Sequence, residues 1–408
     1  MTTRRKSPTS LGDLFIEAVA SFREAIVPEE EFAEDPVSPA DLEGLSLEDA
    51  TAELPERLSA AFDLGKLVRD VDAIACWADA RDAVREATER FLRGRRAAIA
   101  VTGQIGSGRT AFLDLVERVL RSHPEGGEVV LTRLALESIE AREGELPEQL
   151  CAALGQKDVG TAEQLRERLA DGSRRVIVLE RAHNLYIRRI GGFQVLREAL
   201  SLLGSSKQVL WVVESDAFAW SYLDQLFQLG SYFDPVVAVP LLGPADLRTV
   251  FERQLDTVSD LFPLRVLPPK GLGPEERARW REDGLWERLH QASQGNPQAA
   301  SLLFRRSLRW SEHLHTAYLL PPAIYPFRKA LASFSKTTLL ALALILEHET
   351  LTGVQLAELL LLSPGEAQGI LDGLARYHAV TRSPSAGYAV TTPWLAALSE
   401  HLSEWNIL

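Results

Sequence analysis

Cysteine is scarce in this chain, and its scarcity excludes two kinds of structure. The 408 residues include two cysteines, Cys76 and Cys151, which lie far apart and lack the spacing of metal ligands. A disulfide framework and a cysteine-rich zinc site are therefore excluded. The sequence predicts two small packed thiols in a reducing, cytoplasmic compartment.

Long hydrophobic runs are also missing. The richest apolar stretch, residues 339–346, is much shorter than the roughly 18 residues of a membrane-spanning helix. The basic residues near the N-terminus are not followed by the apolar core of a secretory signal. We therefore expect neither a membrane span nor secretion.

Basic residues are not in excess, which disfavours a strong nucleic-acid binder. The net charge is −13, and eleven of the 57 acidic residues lie in residues 28–56, which contain no lysine or arginine. The remainder carries 44 basic and 46 acidic residues, so its charge is nearly balanced. Residues 1–59 are predicted to contain an acidic, flexible linker. An amphipathic helix at residues 11–26 precedes it and either docks a partner or packs on its own domain.

One glycine-rich loop dominates the remaining sequence. Residues 97–101 predict a buried strand, residues 103–110 read GQIGSGRT, and an apolar-periodic helix follows. A strand, a glycine-rich loop and a helix in this order are typical of a phosphate-binding loop, in which backbone amides and the helix dipole hold an anion. The pattern G-x-x-x-x-G-K-[ST] requires lysine where this chain has Arg109. A glycine-rich turn without a ligand is therefore the alternative.

Two further apolar runs end in polar residues. Residues 176–179 predict a central parallel strand followed by Glu180, which either holds magnesium beside a phosphate loop or is a surface carboxylate. Residues 207–214 predict another buried strand that ends at Glu214, and Ser215 after it is a candidate γ-phosphate contact. Strands and helices alternate, so we expect a parallel sheet with right-handed crossovers.

The last third of the chain has a different pattern. Residues 261–273 are rich in proline and glycine and predict a linker before a small helical subdomain. Residues 324–408 predict a long helix at 329–348, two shorter helices and a hairpin, which together are a winged-helix pattern. The outward residues of the third helix favour packing or protein docking over base reading: Glu366, Gln368, Asp372 and Arg376.

These motifs and their order resemble the AAA+ P-loop ATPases, in the branch with a C-terminal winged helix. That branch includes origin-recognition and helicase-loader proteins, transposition helpers, secretion-type ATPases and signalling NTPases. The resemblance covers about residues 64–408. It implies an α/β fold with a P-loop AAA+ core and parallel sheet at residues 60–260. A helical lid at 261–323 and a winged-helix domain at 324–408 would follow.

Four positions depart from the catalytic pattern of that family. The Walker A lysine is Arg109, and the catalytic Walker B glutamate is replaced by Arg181. The arginine-finger position falls on Ser231 or Tyr232, and the sensor-2 arginine is Gln298. Backbone amides can still hold a phosphate, but hydrolysis needs the positioned carboxylate and cations that are lost here.

The resemblance implies a nucleotide site, whose cofactor is ATP or ADP with magnesium, or none. Arg188 and Arg189 either act on a neighbouring subunit's nucleotide or form a solvated basic turn. Thr110 and Glu180 would be the metal ligands, and Glu180 and Glu214 are the candidate catalytic acids. The nucleotide-binding residues would be Gly103, Gly106, Ser107, Gly108, Arg109, Thr110, Ser215 and Gln298.

Three functions remain open. The first is a degenerate nucleotide-binding AAA+ protein that serves as a regulatory or scaffolding subunit of a homo- or hetero-oligomer. It would dock a protein partner through its N-terminal segment and its winged helix, with weak or absent hydrolysis. The second is an active, divergent AAA+ ATPase that oligomerises and remodels a protein or nucleic-acid partner. The third is a winged-helix DNA-binding module, which the excess of acidic over basic residues disfavours. We favour the first because four catalytic positions are lost together.

Overall fold

The computed structural model describes residues 54–405 apart from 69–71, 73, 125, 127–128, 138, 140–143, 156–160, 171–172, 204–206 and 384–386. The helix predicted at 11–26 and most of the acidic linker lie outside these residues. The predicted end of the linker at residue 59 is wrong, since a helix, α1 (Glu56–Ala61), begins inside it. Leu54 and Leu58 of this segment are buried in the apolar core.

A five-stranded parallel sheet forms the centre of the fold, as expected. Its strands are β1 (Ala98–Gly103), β2 (Val130–Ala135), β3 (Arg175–Glu180), β4 (Val209–Asp216) and β5 (Val236–Ala238). Their order is β2-β3-β4-β1-β5, and each neighbouring pair is parallel. All residues of β1 and β4 are buried, which is why these strands are continuous apolar runs rather than alternating ones.

Helices cover both faces of this sheet. They are α1, α2 (Leu64–Leu67), α3 (Ala78–Leu92), α4 (Arg109–Ser122), α5 (Glu145–Ala153), α6 (Ala162–Ala170), α7 (Gln194–Leu203), α8 (Ala217–Phe227) and α9 (Pro244–Val258). Successive strand residues alternate between two apolar layers. Ile99 and Val101 belong to the layer formed with α3, α4 and α9, and Ala98 and Ala100 belong to the layer formed with α5 to α8.

The lid contains helices and, in addition, a small sheet that the sequence did not predict. Its elements are β6 (Leu264–Val266), α10 (Pro274–Arg279), α11 (Leu285–Ser293), α12 (Pro297–Ser307), β7 (Leu308–Ser311) and β8 (Thr316–Leu319). Strand β6 lies inside the predicted linker and pairs parallel with β8, which pairs antiparallel with β7. Strands of three or four residues carry too little alternation to be recognised in a sequence.

The C-terminal part is a winged helix. Its elements are α13 (Phe327–Ser333), α14 (Lys336–His348), α15 (Gly353–Leu360), α16 (Pro364–Arg376), β9 (Val380–Ser383), β10 (Gly387–Val390) and α17 (Thr392–Glu404). The single helix predicted at 329–348 is instead two helices, because Ser335 caps α14 by accepting a hydrogen bond from the Thr338 amide at 3.2 Å. Trp394 of α17 is fully buried and packs on Phe327 and Phe334. Among the described residues, no helix is both long and apolar enough to span a bilayer.

Candidate functional site

The glycine-rich loop joins β1 to α4 at the carboxyl edge of the sheet. Gly106 and Gly108 have φ angles of +75° and +100°, a region that residues with a Cβ rarely adopt. Helix α4 begins directly after Gly108, so its N-terminus faces the loop. The loop therefore has the backbone arrangement that the sequence predicts for a phosphate-binding loop.

The Arg109 side chain is nearly buried, with 10% of its surface exposed. Its Nε lies 2.7 Å from Glu214 Oε1, and its Nη1 donates to the Gly103 carbonyl oxygen at 3.1 Å. Its Nη2 donates to Glu349, which follows the last residue of α14. The carboxylate of Asp216 lies 3.7 Å from Nη1. Every nitrogen of the guanidinium is thus engaged by oxygen atoms of this chain.

Burial and the arginine together set the charges in this cluster. Burial raises the pKa of Asp216 to about 8, against the opposing effect of Arg109, so this carboxyl is protonated at neutral pH. Burial also raises the pKa of Glu214, and Arg109 opposes that shift. Burial would raise the pKa of Glu349 as well, but His183 and Arg109 outweigh it and lower the pKa to about 2. Glu349 is therefore the most firmly ionised partner of Arg109.

His183 links the sheet edge to Glu349. It is fully buried, and burial lowers its pKa to about 4, so the ring is neutral at pH 7. Its Nδ1 accepts a hydrogen bond from the Asp216 amide at 3.3 Å, which places the ring proton on Nε2. Nε2 lies 3.6 Å from Glu349 Oε2. The partner of His183 could not be predicted from the sequence, because Glu349 lies in a distant domain.

The tip of the loop is covered by the turn before α12. The Asn296 side-chain amide donates to the Ile105 carbonyl oxygen at 2.7 Å, and the Gln298 amide donates to the Gly106 carbonyl oxygen at 3.3 Å. The Gln298 side chain lies so close that a Cβ placed on Gly106 would be 2.6 Å from Gln298 Cβ. Its Nε2 donates to Thr392 of α17 at 3.2 Å. The structure therefore brings Gln298 to the loop, as expected for this turn.

Trp77 covers the other end of the loop. A Cβ placed on Gly108 would lie 2.6 Å from Trp77 Cη2. The indole is fully buried, packs against Phe112 of α4 with the two rings tilted by 52°, and donates its Nε1 proton to the Pro240 carbonyl oxygen at 2.8 Å. The sequence alone does not predict this contact with the loop, because it depends on tertiary packing.

The remaining candidate residues have separate surroundings. Glu180 accepts a hydrogen bond from Arg133 Nε at 2.8 Å, and Thr110 is exposed at the start of α4. Ser107 and Ser215 are buried, and neither hydroxyl has a hydrogen-bond partner among the described residues. Gly103, Arg109 and Glu214 are thus brought together, whereas Glu180 is paired elsewhere.

The arginines after β3 pair with acidic residues of this chain. Arg181 has a φ of +57°, donates its amide proton to Glu214 at 2.7 Å and pairs its side chain with Glu137 at 2.8 Å. Arg188 binds Glu347 of α14, with Nη2 2.6 Å from Oε2, and Arg189 binds Glu358 of α15 at 2.7 Å. Both arginines therefore contact the winged helix, Arg188 with 21% of its side chain exposed and Arg189 with 42% exposed.

In this arrangement, side chains that a magnesium nucleotide would use are already engaged within the chain. Arg109 is already bound by carboxylates, Gly108 lies under Trp77, and Gly106 lies under Gln298. Glu180, the candidate metal ligand, is held by Arg133. Within the described ranges, no group of three or more His, Cys, Asp or Glu side chains is arranged to hold a metal ion.

The raised pKa of Asp216 gives a measurable pH dependence. The pKa of this carboxyl is 3.8 in the unfolded chain and about 8 in the folded chain. Between these pH values the folded chain therefore binds one more proton than the unfolded chain, and the free energy of unfolding falls as pH rises. Below about pH 6.5 the lowered pKa of His183 acts in the opposite direction and offsets this fall. From pH 6.5 to 8, we expect the free energy of unfolding to fall by about 2 kcal/mol, as measured by urea denaturation.

The matched control is Asp216→Asn, which cannot titrate but can still cap α8, where Asp216 accepts from the Phe218 amide at 2.8 Å. We expect its stability to change little between pH 6.5 and 8. An equal fall in the variant and the wild type would contradict the assignment to Asp216.

Comparisons with known proteins gave matches to solved structures only. No protein-family model and no curated protein sequence matches the chain. The ORC1 protein of Aeropyrum pernix in complex with DNA is 15% identical, with 81% of this chain and 94% of that chain covered at a TM-score of 0.44. Drosophila ORC bound to DNA is 11% identical, with 94% and 99% covered at a TM-score of 0.40. A Walker-type ATPase of Pyrococcus abyssi is 12% identical, with 79% and 95% covered at a TM-score of 0.40.

Such low identities and TM-scores say nothing about what this chain binds or does. The fold is established by the chain's own architecture. It has a parallel sheet in the order β2-β3-β4-β1-β5 and a glycine-rich loop directly after the central strand β1. A lid and a winged helix follow that sheet in the chain. The chain therefore has the fold that its resemblance to the AAA+ P-loop ATPases implies, with a C-terminal winged helix.

Proposed function

We propose that this chain is a regulatory or scaffolding subunit of a larger assembly, in which the AAA+ core binds ATP or ADP weakly or not at all. One observation carries the proposal: Arg109, at the position of the catalytic lysine, is buried in ion pairs with Glu214 and Glu349. A cation held in this way is not free to stabilise charge on a transferred phosphoryl group.

The end of β3 supports weak or absent hydrolysis. The residue after Glu180 is Arg181, whose side chain turns to Glu137 instead of offering a carboxylate to an attacking water. Glu214 accepts the Arg181 amide proton and also faces Arg109, so both of its oxygens are engaged. Neither acid is left in the position of a general base.

The surface of the winged helix supports a protein partner. The outward residues of α16 mix two acids with one glutamine and one arginine, and this mixture disfavours the reading of base edges. Glu366, Gln368, Asp372 and Arg376 are exposed, and Gln368 donates to Asp372 at 2.7 Å. We assign partner docking to this domain and to the N-terminal segment that precedes α1. The core would begin with α1 and end at residue 260, followed by the lid at 261–323 and the winged helix at 324–408, in a homo- or hetero-oligomer.

The cellular compartment is part of the same proposal. Cys76 and Cys151 are both free thiols. Unpaired cysteines, one of them buried, fit the reducing cytoplasm.

An ATPase assay tests the proposal. We expect the full chain with magnesium and ATP to release phosphate no faster than a buffer control. The control variant is Thr110→Ala, which removes the exposed hydroxyl of the loop without touching the ion pairs of Arg109. Robust turnover that Thr110→Ala abolishes would contradict the proposal and favour the active, divergent ATPase.

A further inference from the structure

The winged helix docks on the core through pairs of opposite charge. Glu349 binds Arg109, and Glu347 binds Arg188 and accepts the Tyr186 hydroxyl proton. In each of these ion pairs the acid belongs to the winged helix and the arginine to the core. Glu347 is fully buried, so its pairing with Arg188 is shielded from solvent.

Apolar contacts join the same two surfaces. Ile105, at the tip of the glycine-rich loop, and Phe218 of α8 pack on the apolar core of the winged helix. The Tyr186 ring lies 4.9 Å from the ring of His348, measured between centroids. The winged helix therefore covers the loop itself and not merely a neighbouring face.

The backbone of Glu349 is in an unfavourable conformation for a residue that has a Cβ. Its φ is +58°, in the left-handed region that favours glycine, and it lies directly after the last residue of α14. A residue with a Cβ in this region is strained by about 1–3 kcal/mol and persists where its surroundings fix it. Here Arg109 holds one oxygen of the side chain, and the other oxygen lies 3.6 Å from His183 Nε2.

We propose that the Glu349 carboxylate is the resident ligand of Arg109 and takes the position that a phosphate group would occupy on it. Docking of the winged helix and binding of a nucleotide phosphate then exclude each other. The planar guanidinium binds carboxylate and phosphate with the same fork of donors, so the two anions compete for one group. This inference rests on the proposed function, because it explains why nucleotide binding is weak.

The exclusion has a thermodynamic consequence. If docking lowers the affinity for phosphate, phosphate must weaken docking by the same factor. Removing the charge of Glu349 should therefore both loosen the winged helix and free Arg109. Glu349→Gln keeps the size of the side chain and removes the charge.

The experiment uses the full chain and two readouts. Calorimetric titration with MgATP measures affinity, and hydrogen exchange of residues 103–110 and 346–352 measures docking. We expect Glu349→Gln to bind MgATP about tenfold more tightly than the wild type and to exchange about tenfold faster in both segments. The control is Glu358→Gln, at the same interface: its pair with Arg189 leaves the two side chains 46% and 42% exposed, so we expect changes below about twofold.

Hydrogen exchange of the wild type tests the inference without a variant. Saturating MgATP should speed hydrogen exchange in residues 346–352. Equal MgATP affinity in the wild type and in Glu349→Gln, including no binding by either, would overturn the inference. ATP turnover by the wild type would instead overturn the proposed function. If Glu349→Gln still bound MgATP about tenfold more tightly than the wild type, the mutual exclusion of docking and phosphate binding would stand.

Discussion

Replacing Gly295 by alanine is expected to lower the free energy of unfolding by about 3–5 kcal/mol. Gly295 has a φ of +76°, and a Cβ on it would lie 2.3 Å from the Leu242 carbonyl oxygen. That oxygen belongs to the backbone, and the Leu242 amide also donates to the Gly295 carbonyl oxygen at 2.8 Å, so neither segment can move aside freely. Urea denaturation measures the change.

The control for this substitution separates conformational strain from steric overlap. Gly271 also has a positive φ, +92°, but a Cβ there would meet nothing within 4 Å. We therefore expect Gly271→Ala to cost only the strain of the left-handed conformation, about 1–2 kcal/mol. Equal losses in the two variants would mean that the approach of Gly295 to Leu242 is not tight.

Gly295 matters for the site because it starts the turn over the glycine-rich loop. Asn296 caps α12 by accepting hydrogen bonds from the Gln298 and Ala299 amides at 3.0 and 3.1 Å. Its amide nitrogen simultaneously holds the Ile105 carbonyl oxygen. The Asn296 side chain therefore caps α12 and also connects the lid to the glycine-rich loop.

The sheet and the loop could be predicted from the sequence because their signals are local. The buried strands are continuous apolar runs. The loop has positive φ angles at positions only two residues apart, Gly106 and Gly108, and such angles favour glycine. The winged helix was likewise predictable from short helices with capping residues, such as Ser363, which forms a capping box with Glu366 at the start of α16.

The partners of the site could not be predicted, because they are distant in the chain. Glu349 lies 240 residues beyond Arg109, and nothing in its immediate sequence distinguishes it from a surface acid at a helix end. Trp77 reads as one residue of an apolar stripe, and its approach to Gly108 is a property of tertiary packing. Sequence patterns report periodicity within an element, whereas these contacts depend on how three domains are placed.

Replacing Arg109 by the lysine of the G-x-x-x-x-G-K-[ST] pattern should destabilise this chain. Arg109 reaches Glu214, Glu349 and the Gly103 carbonyl oxygen with separate nitrogens of one planar fork. Lysine offers a single compact ammonium, so it cannot span all three. We expect Arg109→Lys to lower the free energy of unfolding by about 1–2 kcal/mol, because at least one buried oxygen atom loses its partner.

Removing the cation altogether should have a larger effect. Arg109→Ala leaves the buried Glu214 and the partly buried Glu349 without their counter-charge, which costs about 3–5 kcal/mol. Urea denaturation at neutral pH measures both variants, and the order alanine, then lysine, then wild type should be that of increasing stability. A lysine variant as stable as the wild type would show that the three separate contacts of the guanidinium do not contribute to stability. Arginine would then be only a tolerated replacement for lysine. If the order holds, Arg109 serves this chain by joining two domains, a role that the family's lysine cannot fill.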